Sequence, residues 1–545
     1  MTGGLRSHWT RAVLVAIALA VFHTWPLATS PGVLSFNYHG DAMLNEWIVA
    51  WVQHQLLQAP FELFQANIFY PAPDALAFSE PLIVPALLGY PVRLLGGSPV
   101  LVHNLLLLAG LSLTMLGGYA LAHHWTGDHF AALVAGAAFT FNTQSLVRLE
   151  HLQAAHAYGI PLALLAADRL IVTGRRTCAI WLAAWMTLMA YSSGYLVIFT
   201  TIALAVLVVA RTAAWVRRPA PVIGGFILAA AIAAVAATPI YLPYRRVAVE
   251  QGMTRNLDSV VQFSATLDGY LASYGRLHGF LWNAGAPREF PDAFFPGIVV
   301  GLLAAVALAL AVSGRCRGPV SRGQIVTLAG LCIVGIVLSL GTRTPLYGWL
   351  YAVFPPMSGL RAAARFGGLF LLGTAMLGGI GLSEILKRLP RIPAACLGVA
   401  ALLLVTLEAL RPAIGYTKYD GIPQTYSWLA REPGPVVLVE VPFYLPPVIF
   451  QNAEYVLNST AHWRPLMNGY SGYTPATYRQ YAPAFSDFPD PRAVNAMRAA
   501  GGTHLMVHPR RYGADAEVTL TRALANPALE RVAVGRDGIT LFRIR

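Results

Sequence analysis

Long apolar runs recur along the chain, and they constrain its fold more than any other feature. Of the 545 residues, 56% are hydrophobic and only 12% are charged. A run of roughly twenty apolar residues can cross a bilayer as a helix, which satisfies its own backbone hydrogen bonds. The sequence therefore predicts a polytopic α-helical membrane protein. About eleven spans are predicted, at residues 12–29, 100–122, 129–146, 157–173, 177–192, 194–214, 220–242, 293–313, 324–341, 366–385 and 392–411.

The distribution of arginine and lysine predicts the orientation of these spans. Short cytoplasmic loops of membrane proteins carry an excess of these two residues. With a cytoplasmic N-terminus, four of the five inner loops are basic, and the C-terminus lies outside the cytoplasm. We expect a multi-pass membrane protein. The segments predicted on the outer side include 30–99, 142–156, 243–292, 342–365 and 412–545.

The formal net charge of +13 has a membrane explanation. In a soluble protein such a charge would favour nucleic acid. Here arginine collects in short loops between spans, where it sets orientation and meets anionic lipid, so we expect membrane lipid and no nucleic acid as a partner. The four cysteines form no CxxC pair, which argues against a disulfide framework and a thiolate metal site.

The chain changes character after residue 411. Apolar runs shorten to strand length at 436–441, 504–508 and 539–544, and helical patterns lie between them. This pattern predicts a small extracytoplasmic α/β domain at 412–545, following a transmembrane domain at 1–411. The domain holds an aromatic-rich stretch that either packs or binds an acceptor, and packing is the commoner role; its members are His462, Trp463, Tyr470, Tyr473, Tyr478 and Tyr481.

Two segments of the first outer loop are predicted to form juxtamembrane helices. In residues 41–58, five large apolar side chains share one helical face, and polar residues occupy the opposite face. The apolar residues are Met43, Leu44, Trp47, Ile48 and Trp51, and the polar ones are Asn45, Glu46 and Gln53. Segment 81–97 is apolar but short and contains three prolines, so it is predicted to be an interfacial or re-entrant helix.

Acidic residues of the same loop are the first candidates for chemistry. Asp41 directly precedes the apolar helix, and a carboxylate at a membrane boundary is costly unless it pairs, binds an ion or reacts. Asp41 would act as a base or as the N-cap of the helix. Glu46 would orient an acceptor, bind a cation or lie on a solvated face, and Glu80 is a second candidate acid. His39 would tune the neighbouring acid or be structural.

Polar residues of the second outer loop form another candidate cluster. Glu150 or His151 would complete an acid/base site, whereas the structural alternative pairs Arg148 with Glu150. No HxxH or HExxH pattern is present, so a fixed metal has no support.

Outer-side arginines are candidates for binding a phosphate, because the guanidinium group binds phosphate through two parallel hydrogen bonds. Arg245 and Arg246 lie at an outer helix end. Arg361 and Arg365 are four residues apart, which on a helix would aim both the same way. The alternative is that these long side chains reach the lipid headgroups.

This layout resembles the GT-C superfamily of polyprenyl-phosphate-dependent glycosyltransferases, such as protein mannosyltransferases and lipid A aminoarabinose transferases. The resemblance rests on Tyr38-His39-Gly40-Asp41, the helix after it, and Ser79-Glu80-Pro81. The chain looks closer still to a large group of bacterial membrane proteins in that superfamily. They share the patterns Ser459–Pro465, Asn468-Gly469-Tyr470-Ser471-Gly472 and Leu360–Phe366.

The resemblance implies an inverting glycosyltransferase working on the outer face of the membrane. Its donor would be a polyprenyl-phosphate sugar, its acceptor a glycan, lipid or protein, and Asp41 its general base. Arg361 and Arg365 would hold the phosphate. The protein would lie in the bacterial inner membrane. The resemblance firmly implies no cofactor, although a divalent cation is compatible with the site. The alternative is a flippase, transporter or assembly scaffold for lipid-linked envelope sugars, but transporters typically carry charges near the bilayer midplane, and few are found here.

Overall fold

The computed structural model describes residues 2–253, 257–282 and 292–545. The predicted outer segment 243–292 therefore lies partly outside the described residues. The chain divides into two compact units. Unit 1 comprises Met1–Thr29, Leu106–Pro239 and Thr254–Ile414, and unit 2 comprises Ser30–Leu105, Ile240–Met253 and Gly415–Arg545. The predicted domain boundary between residues 411 and 412 stays a prediction. The two units are not divided at one position of the sequence, because each gathers segments that are far apart in the chain.

Unit 2 contains two small sheets. Strands β1 (Leu34–Ser35) and β2 (Thr417–Lys418) pair antiparallel. The second sheet comprises β3 (Leu438–Val441), β4 (His504–Val507), β5 (Leu529–Val534) and β6 (Thr540–Ile544), in the order β3-β4-β6-β5. β3 and β4 are parallel and entirely buried, as is usual for parallel strands covered on both faces. The accompanying α-helices are Gln424–Arg431, Ala453–Asn458, Ala476–Ser486, Pro491–Ala499 and Ala516–Ala525.

The helix predicted after Asp41 is present as Gly40–Gln58, but its predicted solvated polar face is wrong. Asn45, Glu46 and Gln53 are at most 4% exposed. The helix packs against the helices Ala453–Asn458 and Ile83–Leu88, so its polar side chains do not face solvent. Its polar groups are satisfied inside the protein instead; the Gln53 amide donates to the Ala86 carbonyl at 2.8 Å.

Segment 81–97 forms two short helices rather than one, Ile83–Leu88 and Tyr90–Leu94. They are separated at Gly89, and Pro91 starts the second one. Their position at a membrane surface stays a prediction.

Unit 1 is helical, and each of the eleven predicted spans overlaps a helix. Two helices, Pro99–Thr126 and Pro219–Glu250, contribute to both units. The other long helices are Thr2–His23, His129–Thr140, Gly159–Thr173, Arg176–Ala190, Gly194–Ala210, Ile298–Val312, Arg322–Ser339, Gly367–Leu386 and Arg391–Glu408. Shorter ones are Thr143–Leu146, Leu152–Ala155, Thr212–Trp215, Leu257–Gln262, Arg276–Trp282 and Pro345–Val353.

Within the described part of the chain, six helices are long and apolar enough to cross a membrane, judged by length and composition. Four further apolar helices are shorter. The protein is thus a multi-pass membrane protein, but the count of eleven spans is not confirmed. Glycines at helix ends explain why one of these helices is shorter than its predicted span. The Ile298–Val312 helix has only 15 residues because Gly297 precedes it with φ +98° and Gly314 follows it with φ +68°.

The Gly367–Leu386 helix is central to unit 1. It packs against Ile298–Val312, Arg322–Ser339 and His129–Thr140, and nearly all of its residues are buried. Glycines make these close contacts feasible, as in other membrane helix pairs. A Cβ atom added to Gly381 would overlap the Leu303 carbonyl, and one added to Gly373 would lie 2.7 Å from the Leu328 carbonyl oxygen.

We expect Gly381→Ala to destabilise the protein by about 1–3 kcal/mol, because the facing backbone of Leu303 must move. The matched control is Gly301→Ala on the partner helix, where no described heavy atom lies within 4 Å of the added methyl group. Thermal unfolding in detergent measures both variants. Equal midpoints for the two would show that these helices do not depend on the close contact.

Candidate functional site

A cavity of about 130 Å³ lies within unit 1. Most of its surface is apolar and comes from side chains such as Leu111, Phe139, Leu196, Phe199 and Leu369. The polar lining includes Thr114, Thr140, Gln144, Ser145, Arg148, His151, Gln153, Ser193, Tyr195 and Arg365. The hydroxyls of Thr140 and Ser193 are buried and have no hydrogen-bond partner among the described residues. The cavity therefore joins an apolar wall to cationic and hydroxyl groups.

The loop that carries Arg148 is held by its own side chains. Asn142 caps the short Thr143–Leu146 helix, since its side-chain oxygen accepts from the Ser145 N–H at 2.9 Å. The Gln144 side-chain oxygen accepts from the Ala293 N–H at 2.8 Å. These contacts explain why a polar sequence between two apolar helices is ordered at the cavity.

Arg148 forms an ion pair with Asp292, at 3.0 Å between the guanidinium and a carboxylate oxygen. Burial lowers the pKa of Arg148, and repulsion from the Arg365 guanidinium lowers it further. Burial also raises the pKa of Asp292, against the attraction of Arg148. The two arginines are thus close enough to repel each other inside one cavity.

Arg365 lies with its guanidinium 4.5 Å from the centre of the Tyr195 ring. Within the described residues, no carboxylate lies within 4.0 Å of this group. Two guanidinium groups therefore line the cavity, whereas Asp292, which pairs with Arg148, is not among the lining residues. An anion would relieve the repulsion between the arginines.

Arg361 does not share this position, so the predicted common face of Arg361 and Arg365 is wrong. Residues 361 and 362 are not helical, and the helical backbone begins only with the turn Ala363–Phe366. The N–H groups of Arg361 and Ala362 donate to the Tyr195 hydroxyl, each at 3.1 Å, instead of forming helical bonds. The Arg361 guanidinium lies over the Phe263 ring, and Arg361 does not line the cavity.

The second-loop candidates have different positions. His151 lines the cavity, and Glu150 is half-buried beside it in the sequence but is not a lining residue. The structural alternative paired Arg148 with Glu150. The ion pair of Arg148 is with Asp292, and the Glu150 carboxylate is a second attractive charge near it. Sequence reasoning missed Asp292, although a lone acid at the start of an apolar run was a usable signal.

Asp41 lies in unit 2 and is half-buried. The Tyr470 hydroxyl donates to one of its carboxylate oxygens at 2.6 Å. Asp41 is not the N-cap of the Gly40–Gln58 helix, so that alternative is wrong. The cap is His39, whose Nδ1 accepts from the Asp41 N–H at 3.2 Å. His39 thus fixes the backbone of the neighbouring acid.

Glu46 is fully buried, so its solvated alternative is also wrong. The Asn37 amide donates to both carboxylate oxygens, at 3.0 and 3.1 Å, in the orientation that satisfies both groups. Burial raises the pKa of Glu46 to about 8, although the Asn37 hydrogen bond opposes the shift. Glu46 is therefore mostly protonated near neutral pH, which suits a structural acid better than a cation ligand.

The remaining candidates of unit 2 lie near the Pro219–Glu250 helix end. Arg246 forms two hydrogen bonds of 2.8 Å to the carboxylate of Asp74, which occupies its phosphate-binding fork. Arg245 is exposed, and Glu80 is half-buried. Among the described residues, no group of three or more His, Cys, Asp or Glu side chains is arranged to hold a metal ion.

No family model and no curated protein matches the chain. Several solved structures match the chain. The mycobacterial arabinofuranosyltransferase AftD superposes with a TM-score of 0.63 and 17% identity, over 98% of this chain and 40% of AftD. The expected resemblance is confirmed at the level of the fold. The chain shares its fold with that part of AftD.

Two other structures with similar architecture are more distant. The oligosaccharyltransferase AglB from Archaeoglobus fulgidus has a TM-score of 0.46 and 12% identity, over 95% of this chain and 71% of AglB. ArnT from Cupriavidus metallidurans has a TM-score of 0.41 and 12% identity, over 99% of this chain and 98% of ArnT. The likeness in fold rests on AftD, of which this chain spans about two fifths in length.

We expect Glu46→Gln to stabilise the protein at alkaline pH and to have little effect at pH 5. The folded pKa of Glu46, about 8, lies above its ordinary value of 4.5. Wild-type stability is therefore lost as the pH rises towards 8, by roughly a few kcal/mol, and the neutral amide avoids this loss. Thermal unfolding at pH 5 and pH 8.5 tests this, with the exposed Glu62→Gln as control. A Gln variant that loses stability with pH as steeply as wild type would contradict it.

Proposed function

We propose that the protein is an integral-membrane glycosyltransferase that moves a sugar from a polyprenyl-phosphate donor to an acceptor outside the cytoplasm. The observation that carries this proposal is the cavity of unit 1, whose lining joins an apolar wall to the guanidinium groups of Arg148 and Arg365. The likeness in fold to AftD agrees with it. The donor and acceptor are proposed by class, as lipid-linked sugar and as glycan, lipid or protein.

The chemistry of the cavity suits the lipid phosphate of such a donor. A polyprenyl phosphate combines an anionic group with a long apolar chain, and this cavity combines guanidinium groups with an apolar wall. Guanidinium binds phosphate through parallel charge-assisted hydrogen bonds. The unpartnered hydroxyls of Thr140 and Ser193 supply further donors.

The side of the membrane also agrees. The cavity lies at helix ends near residues 140, 159, 194 and 367, which the arginine distribution assigns to the outer side. Donor sugars that are linked to polyprenyl phosphate would approach it from the lipid.

In this proposal Asp41 is the general base. Its carboxylate takes the proton of the acceptor hydroxyl while the acceptor oxygen bonds to the anomeric carbon. The bond from that carbon to the phosphate oxygen breaks, and the electron pair leaves with polyprenyl phosphate. One direct displacement without a protein nucleophile inverts the anomeric configuration. Glu46 has no role in this step, because it is buried and its carboxyl oxygens accept hydrogen bonds from the Asn37 amide.

We expect Asp41→Asn to lower transfer by about 10²–10⁴-fold, which is the usual contribution of a general base. The Asn side chain is isosteric, and the cap of the helix is His39, so the folded stability should stay nearly unchanged. The measurement is transfer of radiolabelled sugar from a panel of pentosyl and hexosyl polyprenyl phosphates, with thermal unfolding as a control. Full activity of the Asn variant would remove Asp41 as the base.

We expect Arg365→Lys to weaken binding of polyprenyl phosphate by roughly 10–100-fold, since lysine keeps the charge but loses the planar fork. Arg361→Lys is the matched control, because Arg361 also lies over an aromatic ring but not in the cavity. Titration of the purified protein with polyprenyl phosphate, followed by tryptophan fluorescence, gives both dissociation constants. Equal values for the two variants would place the phosphate elsewhere.

A further inference from the structure

A hydrogen bond joins two distant sequence patterns in unit 2. The Tyr470 hydroxyl donates to Oδ1 of Asp41 at 2.6 Å, although the residues are 429 positions apart. Asp41 belongs to Tyr38-His39-Gly40-Asp41, and Tyr470 belongs to Asn468-Gly469-Tyr470-Ser471-Gly472. A bond this short to a carboxylate is among the stronger hydrogen bonds in proteins.

The segment that carries Tyr470 is fixed by two fully buried amides. The Asn468 side chain accepts from the Glu440 N–H at 2.7 Å and donates to the Glu440 carbonyl at 2.9 Å, so it is tied to strand β3. The Asn452 side chain donates to the Gly469 carbonyl at 3.1 Å. Both amides are 0% exposed. Residues 468–470 are thus anchored to the sheet, and the tyrosine is held by a rigid support.

The backbone next to Asp41 is shaped to admit the tyrosine. A Cβ atom added to Gly40 would lie 3.1 Å from Cε1 of Tyr470 and 3.3 Å from the Phe450 carbonyl oxygen. Only glycine gives the ring full access here. From the other direction, the Asp41 N–H is fixed by Nδ1 of His39.

We propose that Tyr470 is a positioning residue for Asp41, so that the C-terminal segment helps to aim the general base. The proposal rests on the role of Asp41 in the proposed function. The Tyr470 hydroxyl donates to Oδ1 and thereby sets the orientation of the carboxylate that takes the proton of the acceptor hydroxyl. It also stabilises the charged carboxylate, which is the form that can act as a base. The proton moves only from acceptor to Asp41, and the tyrosine keeps its own.

We expect Tyr470→Phe to move the acidic limb of the pH–rate profile upward by about one pH unit, because the charged carboxylate loses a hydrogen bond. Transfer at neutral pH should fall roughly tenfold or more, since the carboxylate is no longer aimed. The measurement is transfer from the polyprenyl-phosphate donor over pH 4–9. The control is Tyr473→Phe, in the same aromatic-rich stretch as Tyr470. It removes a hydroxyl that donates to the Gln251 carbonyl. That control should keep the wild-type profile.

Gly40→Ala is a second variant, which retains the hydroxyl but pushes the ring away. It should shift the profile in the same direction by a smaller amount. A uniform loss of activity in both variants, with the acidic limb unmoved, would make Tyr470 merely structural and overturn the inference. The proposed function is judged separately by Asp41→Asn. If that variant is inactive while Tyr470→Phe keeps the wild-type profile, the base stands and only the role of Tyr470 is wrong.

Discussion

The cost of burying a charge away from water governs the arrangement of the polar side chains. Several buried or half-buried ionisable groups are compensated by a specific partner. Asp74 is bound by Arg246, Arg148 by Asp292, and Glu46 by Asn37 together with its own proton. Against this background Arg365 stands out, because a tyrosine ring is its main described contact and a second guanidinium lies nearby. Uncompensated charge beside an apolar cavity is the physical reason to place an anionic ligand there.

Much of the fold could be predicted, because hydrophobic length and helical period are local properties of the sequence. Each predicted span overlaps a helix, and the helix after Asp41 is where the pattern indicated. What local patterns could not supply was the environment of each helix. The spacing of Asn45, Glu46 and Gln53 predicts a solvent-exposed face, yet these side chains are buried by elements that come from distant parts of the chain. Strand β5 was missed because it has no continuous apolar run; only Leu529 is buried, and the strand includes Glu530 and Arg531.

The candidate site was predictable in part, because the type of a residue and its place in a loop are also local properties of the sequence. Arg148, His151 and Arg365 were singled out individually, and the structure places all three on one cavity. The error at Arg361 came from assuming a continuous helix, whereas the Tyr195 hydroxyl takes over the backbone N–H groups there. Asp292 and Tyr470 act across separations of 144 and 429 residues, which no spacing argument reaches.

The contact between Tyr470 and Asp41 has a consequence for synthesis. A chain is made from its N-terminus, and its early segments fold or insert first. Asp41 is made more than four hundred residues before its hydroxyl partner. Every chain interrupted before residue 470 carries the Asp41 carboxylate without its hydroxyl partner. Under the function proposed above, such fragments would occupy the membrane with a base that is not aimed, and catalytic competence would be reached only after residue 470 is made.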